Sequence, residues 1–303
     1  LLFDEKLNLI VRVACPIRTI SWEPLIGAVF TADRLTRLRS IIDARQPRVY
    51  RLETEEIDND LRALMTRSTQ SVLVVPIRVA AENVVAIVFG EERRWERTPI
   101  TNEKIQLGVA IGRQVATAEP GDLLCRLGRP ATLWFGVIDG LLKMSNDASG
   151  GAPITFTGVP PGAWFGEGTL LKREPYRYNI EALRESTVAG LPVDAFHTLL
   201  DRSIAFNRFV LNQLNERLGQ FIAAREIDRL NDPDSRVARS LAALFHPVLY
   251  PGVGEVLRIT QQELAWLVGL SRQRTNEALR TLQAQALIRI EYGGVRVLDL
   301  EGL

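Results

Sequence analysis

The stretch RITQQELAWLVGLSRQRTNEALRTLQAQALIRIEYGGVRVLDL, residues 258–300, carries three local signals in a fixed order. Thr260 stands three residues before Glu263, the spacing at which a hydroxyl and a carboxylate each satisfy a free backbone N–H at a helix start. Leu264, Leu267 and Val268 share one face of that helix, and Gly269 then permits the left-handed backbone of a tight turn. Ser271 is a ready cap for a second helix. Along that helix Thr275, Ala278, Leu279 and Leu282 fall inward, which leaves Arg272, Gln273, Asn276, Glu277 and Arg280 facing out. Small Ala265, Gly269 and capping Ser271 together keep the spacing of a helix-turn-helix. Two β-prone runs, residues 287–292 and 295–300, flank Gly293-Gly294 and read as a hairpin.

A helix-turn-helix followed at once by a two-stranded wing suits DNA, because the second helix fits the ~12 Å major groove while flanking elements hold phosphates. On this reading Arg272 and Gln273 supply base readout from the first turn of the second helix, and Ser271 and Arg280 position it on phosphates. Glu277 either accepts from a cytosine amine or pairs with Arg274 or Arg280, and Asn276 completes the outward face. The competing reading is a structural helical hairpin. Charge favours it, since six arginines meet five acidic residues between Arg258 and Leu303. A module so weakly basic needs a second copy to reach useful affinity, so double-stranded DNA and a homodimer are the expected partners.

Length and composition bound the rest. A chain of 303 residues, 46% hydrophobic and 24% charged, accommodates two or three soluble globular domains. No apolar run approaches the ~20 residues that cross a bilayer, and no signal peptide is visible, so a cytoplasmic protein without membrane contact is expected. Cys15 and Cys125 lie far apart without metal-ligand spacing, and His197 and His246 have no neighbouring nucleophile. No metal, cofactor or catalytic constellation is expected. A net charge of +1 means that any nucleic-acid contact is a local patch.

Upstream, residues 123–126, 133–138, 141–145, 154–157, 164–165, 178–182 and 187–191 are short β-prone runs punctuated by Gly and Pro, the pattern of a β-barrel or jelly roll. The phrases WFGVIDGLLKMS (134–145), GVPPGAWFGEGTLL (158–171) and YRYNIEAL (176–183) resemble the cyclic-nucleotide-binding jelly roll of the Crp/Fnr family of transcription regulators. With the winged helix downstream, the resemblance runs from about residue 112 to the C-terminus, two independent modules in the family's order. It implies that Gly166, Glu167 and Arg177 stand where members that bind cyclic AMP hold ribose and phosphate. Tyr178 departs from the small hydroxyl residue of that pattern, and Phe221 and Ile222 stand where hydroxyl residues meet the adenine. Each unmatched polar partner costs roughly 1–3 kcal/mol, so an ordinary cyclic-AMP response is not expected. The alternative role for Gly166, Glu167 and Arg177 is a structural turn with a salt bridge.

Residues 201–231 form the longest helical pattern. Ile204, Leu211 and Leu218 repeat every seven residues, Leu214 and Phe221 fill the other seam position, and Asn207 is the polar exception. In the resembled family this helix pairs two subunits. The competing reading packs one apolar face on its own jelly roll. Residues 231–235, Asn-Asp-Pro-Asp-Ser, stop the helix as a hinge before a helix over residues 236–245. At the other end of the chain, residues 7–15 alternate as a strand, residues 34–44 have helical spacing, runs 71–77 and 84–89 suit paired strands, and a helix from Asn102 to Ala116 follows. The run SVLVVPIRVAAENVVAIVFGEERRW (71–95) resembles the second half of a GAF sensory domain, with a ligand-free packing or dimerisation module as the alternative.

The expected architecture is a multidomain α+β chain. It has a GAF-like segment (1–111), a cyclic-nucleotide-binding-like jelly roll (112–200), a dimerisation helix (201–231) and a winged helix-turn-helix (232–303). The expected function is a homodimeric, sequence-specific DNA-binding transcription regulator modulated from upstream, with RNA polymerase and an unnamed small-molecule effector as further partners. The rival is a small-molecule sensor or enzyme-associated regulator whose winged helix contacts protein.

Overall fold

A computed structural model of the chain describes residues 2–3, 9–10, 29–30, 35–44, 46–52, 55–63, 65, 69–78, 84–92, 105–106, 108–109, 111, 114–146, 154–227 and 232–303. At the N-terminal end, β1 (Leu2–Phe3), β2 (Leu9–Ile10) and β3 (Val29–Phe30) form a small antiparallel sheet. Helix α1 (Thr36–Ala44), β4 (Arg48–Arg51), α2 (Asn59–Ala63), β5 (Thr69–Arg78) and β6 (Val84–Glu92) follow, with the strands ordered β4-β5-β6. The strand alternation of β5 explains its two-sided burial. Val72 and Val74 meet Leu38 and Ile41 of α1, whereas Leu73 and Val75 pack with Val115 and Ala189 beside the next sheet.

The expected pairing of runs 71–77 and 84–89 is present in the β5–β6 ladder. Of the expected strand 7–15, only Leu9–Ile10 is described as strand, and the rest lies outside the described residues. The helix expected to reach Ala116 does not: Ala116 opens β7 (Ala116–Ala118), because its backbone pairs with Val188. Long-range pairing overrides helical spacing there.

From β7 the chain builds two four-stranded antiparallel sheets. Their strands are β8 (Leu123–Cys125), β9 (Leu133–Asp139), β10 (Leu142–Asn146), β11 (Ile154–Val159), β12 (Trp164–Phe165), β13 (Asn179–Ala182) and β14 (Ser186–Pro192), with α3 (Glu167–Lys172) between β12 and β13. The orders are β11-β10-β13-β8 and β12-β9-β14-β7. Val137, Leu142, Met144, Phe165, Ile180 and Val188 fill the space between them.

Helix α4 (Val193–Arg202) ends at Ser203, whose extended backbone (φ −129°, ψ 102°) separates it from α5 (Ile204–Ile227). The long helix therefore starts at residue 204 rather than 201. Asn207 is no seam residue: its amide donates to the carbonyls of Leu200 and Ser203 and closes the α4–α5 corner. Helix α6 (Pro233–Ala243) also starts earlier than residue 236. Asp232 caps it, its carboxylate accepting from the amides of Asp234 and Ser235, and Pro233 suits the first helical position. The Ser235 hydroxyl and amide bonds hold the Asp232 carboxyl below its usual range.

Past α6 the chain re-enters the jelly roll. Leu249 and Tyr250 are completely buried in its core, and the Tyr250 hydroxyl donates to Gln220 of α5 at 3.0 Å. Gly252 lies so close to Pro161 and Gly162 that a Cβ on it would stand 2.6 Å from the Pro161 carbonyl oxygen. The last unit comprises β15 (Val256–Leu257), α7 (Gln261–Val268), α8 (Arg272–Ala284), β16 (Ile288–Glu291) and β17 (Gly294–Val297). Its sheet order is β15-β17-β16, with β15 not foreseen in the sequence. Glu291 pairs with Gly294, so the turn is Tyr292-Gly293, one residue earlier than the Gly-Gly reading placed it. No described helix is long and apolar enough to cross a membrane.

Candidate nucleic-acid interface

Helix α7 begins with a complete capping box. The Thr260 hydroxyl accepts from the Glu263 amide at 3.2 Å, and the Glu263 carboxylate accepts from the Thr260 amide at 2.7 Å. Gly269 ends the helix at φ 68°, and the Ser271 hydroxyl accepts from the Arg274 amide at the start of α8. Thr275, Ala278, Leu279 and Leu282 are buried against Leu264, Val268, Leu241, Ile288 and Val295. This inward set fixes which side chains α8 turns outward.

Ser271, Arg272, Gln273, Glu277 and Arg280 are exposed, and Asn276 is half-buried, its carbonyl accepting from the Gln261 amide group at 2.9 Å. Glu277 is held on both sides, by Gln273 at 3.2 Å and by Arg274 at 3.2 Å. Arg274 also reaches Asp234 of α6 at 2.8 Å. Among the described residues, neither Arg272 nor Arg280 has an ion-pair partner. Among the described residues the outward face of α8 thus keeps two guanidinium groups without ion-pair partners, while its single carboxylate is engaged by Gln273 and by an Arg274 that it shares with Asp234. Beside it runs an open groove of about 430 Å³ between the α7 N-terminus, Arg272 and the β16–β17 turn. Thr260, Gln261 and Gln262 of α7, Arg272 of α8 and Glu291 of the wing line it.

A contact invisible in the local sequence fixes this unit on the jelly roll. Arg184, in the β13–β14 turn, grips Glu263 with Nε to Oε1 at 2.8 Å and Nη2 to Oε2 at 2.6 Å, and Nη2 also donates to the Arg258 carbonyl at 2.9 Å. The Glu263 side chain is only 7% exposed. Arg258 pairs with Asp139, and Leu141 of the jelly roll belongs to the core of the winged unit.

Of the four residues compared with a nucleotide pocket, Gly166, Glu167 and Tyr178 lie near one another, with Arg217 beside them, and Arg177 is turned away. Gly166, at φ 101°, precedes α3, and Glu167 is buried, its Oε1 accepting from Arg217 Nε at 2.7 Å. Arg217 Nη2 donates to the Trp164 carbonyl. Burial alone would lower the Arg217 pKa, but the Glu167 carboxylate beside it holds it above its ordinary value. Arg177 lies outside, 72% exposed, donating to Glu174 at 2.7 Å. Tyr178 is half-buried beside the jelly-roll core, where Phe221 also packs, and burial pushes its phenol up. Ile222 is 57% exposed on the other side of α5. The sequence reading missed Arg217, whose only local signal is its place one helical turn before Phe221.

The proposed seam likewise divides. Leu214 and Phe221 turn inward with Val210, Gln213 and Arg217, so the competing reading holds for that face. Ile204, Leu211, Leu218 and Ile222 are 57–74% exposed along a second face. The histidines serve local contacts: His197 meets the Leu170 carbonyl, and His246 Nδ1 accepts from the amides of Val248 and Leu249.

The chain matches the cyclic nucleotide-binding domain family over residues 115–203 and the Crp-like helix-turn-helix domain family over residues 235–303. It is 29% identical over 197 residues to the transcriptional regulator SdrP of Thermus thermophilus, spanning 63% of this chain and 93% of that protein. Identity to the transcriptional regulator LdrP of the same species is 30% over 179 residues, 58% of this chain and 88% of the relative. The solved structure of FixK2 from Bradyrhizobium japonicum superposes with a TM-score of 0.51 at 14% identity, covering 62% of this chain and 93% of that one, a likeness of fold.

Removing Arg184 strands a nearly buried carboxylate, at a cost of about 2 kcal/mol once its own partial exposure is discounted from the buried-pair range. Arg184→Ala is expected to speed hydrogen exchange at the Glu263 and Leu264 amides while leaving Ile290 and Val297 of the wing protected. Equal acceleration at all four amides would mean global unfolding and refute a local clamp.

Proposed function

The chain belongs to the Crp/Fnr family of transcription regulators, and from that membership we propose that it acts as a homodimer whose two α8 helices read successive major-groove half-sites. The carrying observation is the outward face of α8. Among the described residues Arg272, in its first turn, has no ion-pair partner and Arg280, a little over two turns on, has none, while the exposed Gln273 donates to Glu277, which Arg274 also meets. Arg bonds bidentately to guanine and Gln to adenine, whereas Ser271 and Arg280 suit phosphate. The relatives it matches are transcription regulators, not enzymes.

In this reading the functional units are a GAF-like sensory segment (1–111), the jelly roll (112–200), the dimerisation helix α5 (Ile204–Ile227) and the winged helix (232–303). Support for the dimer is the exposed stripe Ile204, Leu211, Leu218 and Ile222, four large aliphatic side chains on one face of a 24-residue helix. Signals from upstream bias the placement of the two winged units on their jelly rolls, with Arg184 and Glu263 holding the placement described here. RNA polymerase is the partner through which a promoter-bound dimer acts.

The effector reading rests on three departures. Tyr178 fills the small-hydroxyl position, Arg177 is engaged outside with Glu174, and Phe221 and Ile222 offer no hydrogen bonds. Calorimetry with millimolar cyclic AMP is expected to show no binding, and micromolar affinity would overturn this reading.

Burying a carboxylate in an apolar seam costs several kcal/mol. Leu211→Glu with Leu218→Glu should therefore give a folded monomer by light scattering, with operator binding lost. A dimer persisting in that double variant rules out the stripe as the interface.

For readout, Arg272→Ala should flatten base preference at one position in a selection from random DNA, a loss of ~1–3 kcal/mol of discrimination. Arg280→Ala should weaken all sequences alike and make the salt dependence of binding shallower. An unchanged consensus for Arg272→Ala would show that other residues read the operator.

A further inference from the structure

The end of the β8–β13 pair opposite the Arg184 turn gathers positive charge. Strands β8 and β13 run antiparallel, with Leu123 opposite Glu181 and Cys125 opposite Ile180. At the Glu181 end the chain turns through Leu183, which packs on the winged-unit core, and Arg184, which grips Glu263. At the opposite end emerge the loop after β8 and the segment between α3 and β13. Their backbones are stitched together, Gly128 N donating to the Tyr176 carbonyl at 2.8 Å and Tyr176 N to the Arg129 carbonyl at 2.9 Å.

This stitching sets Arg126 and Arg129 beside Arg177, with Lys172 and Arg173 one short segment away, and all five are exposed. Two carboxylates answer them. Glu174 lies 2.7 Å from Arg177 and 3.8 Å from Lys172, and Asp194 lies 4.0 Å from Arg173. Among the described residues Arg126 and Arg129 have no ion-pair partner. The surface keeps an excess of cations in a chain whose net charge is only +1. Arg173 is moreover held at φ 52°, a backbone region that costs arginine strain and glycine none. Between the unpaired arginines Leu127 is 43% exposed.

We propose that this surface, centred on Arg126, Leu127 and Arg129, is a docking site for an acidic protein segment that carries apolar side chains. Charge selects an anionic partner and steers its approach. Two observations favour protein over DNA. Leu127 gains nothing from a phosphate backbone but fits an apolar side chain, and arginines around an exposed leucine have the make-up of protein interfaces. The surface also lies at the end of the β8–β13 pair opposite the Arg184 turn that grips the winged unit.

The test uses the full chain and a fluorescein-labelled peptide of alternating glutamate and leucine residues, read by anisotropy at low salt. Arg126→Glu with Arg129→Glu should weaken peptide binding about tenfold or more, since each reversal turns an attraction into a repulsion. The milder Arg126→Gln with Arg129→Gln should weaken it less, and Leu127→Ser should weaken it without changing charge. Operator affinity should stay unchanged in all three variants, and operator DNA should not displace the peptide. Equal peptide affinity in wild type and the charge-reversed protein overturns the proposal. So does a charge-reversal loss of affinity for operators with long flanking duplex, because the surface then belongs to DNA.

Discussion

The carboxylate of Glu263 accepts from the Thr260 amide, the Thr260 hydroxyl and two nitrogens of Arg184, all at 2.6–2.8 Å. A nearly buried charge is tolerable only when its hydrogen-bonding capacity is filled, and here two different parts of the chain fill it. One part is local and makes α7 start where it does. The other comes from the jelly roll and decides where α7 stands. Because α8 is packed on α7 and on α6, the direction in which Arg272 and Gln273 point follows from this one carboxylate.

What the sequence made legible has a common scale. The capping box, the Gly269 turn, the Ser271 cap and the inward set of α8 are each written within a few residues, where helix geometry links spacing to contact. Partners 79 residues apart, such as Arg184 and Glu263, or 50 apart, such as Glu167 and Arg217, leave no such trace. The same limit explains Ala116, whose helical context was overruled by a ladder to Val188, and β15, two residues that become a strand only because β17 lies beside them. Arg177 matched a family position by order along the chain, yet its side chain turned to a neighbour three residues away.

Helix α5 shows a different kind of ambiguity. A seven-residue repeat states that side chains share a face, but not what covers the face. Here two faces are apolar. One carries Val210, Leu214 and Phe221 against the jelly roll, and the other carries Ile204, Leu211 and Leu218 into solvent. Polar groups on the inward face, Gln213 and Arg217, are buried and bonded to the Val248 carbonyl and to Glu167, so polarity alone would have assigned the faces wrongly.

The burial of Leu249 and Tyr250 constrains how the winged unit can move. That unit is held to the jelly-roll body at two places along the chain: at α6, whose Ala243 carbonyl accepts from Gln220 of α5 at 3.4 Å, and again through residues 248–252, where Tyr250 is sunk in the other core and Gly252 touches Pro161. A body tethered at one point can pivot about any axis, but one tethered at two can turn only about the line that joins them. Any swing that leaves Tyr250 seated is therefore that of a door on a pair of hinges, with a single angle as its coordinate. The Arg184 grip on Glu263 then works as a latch on that angle.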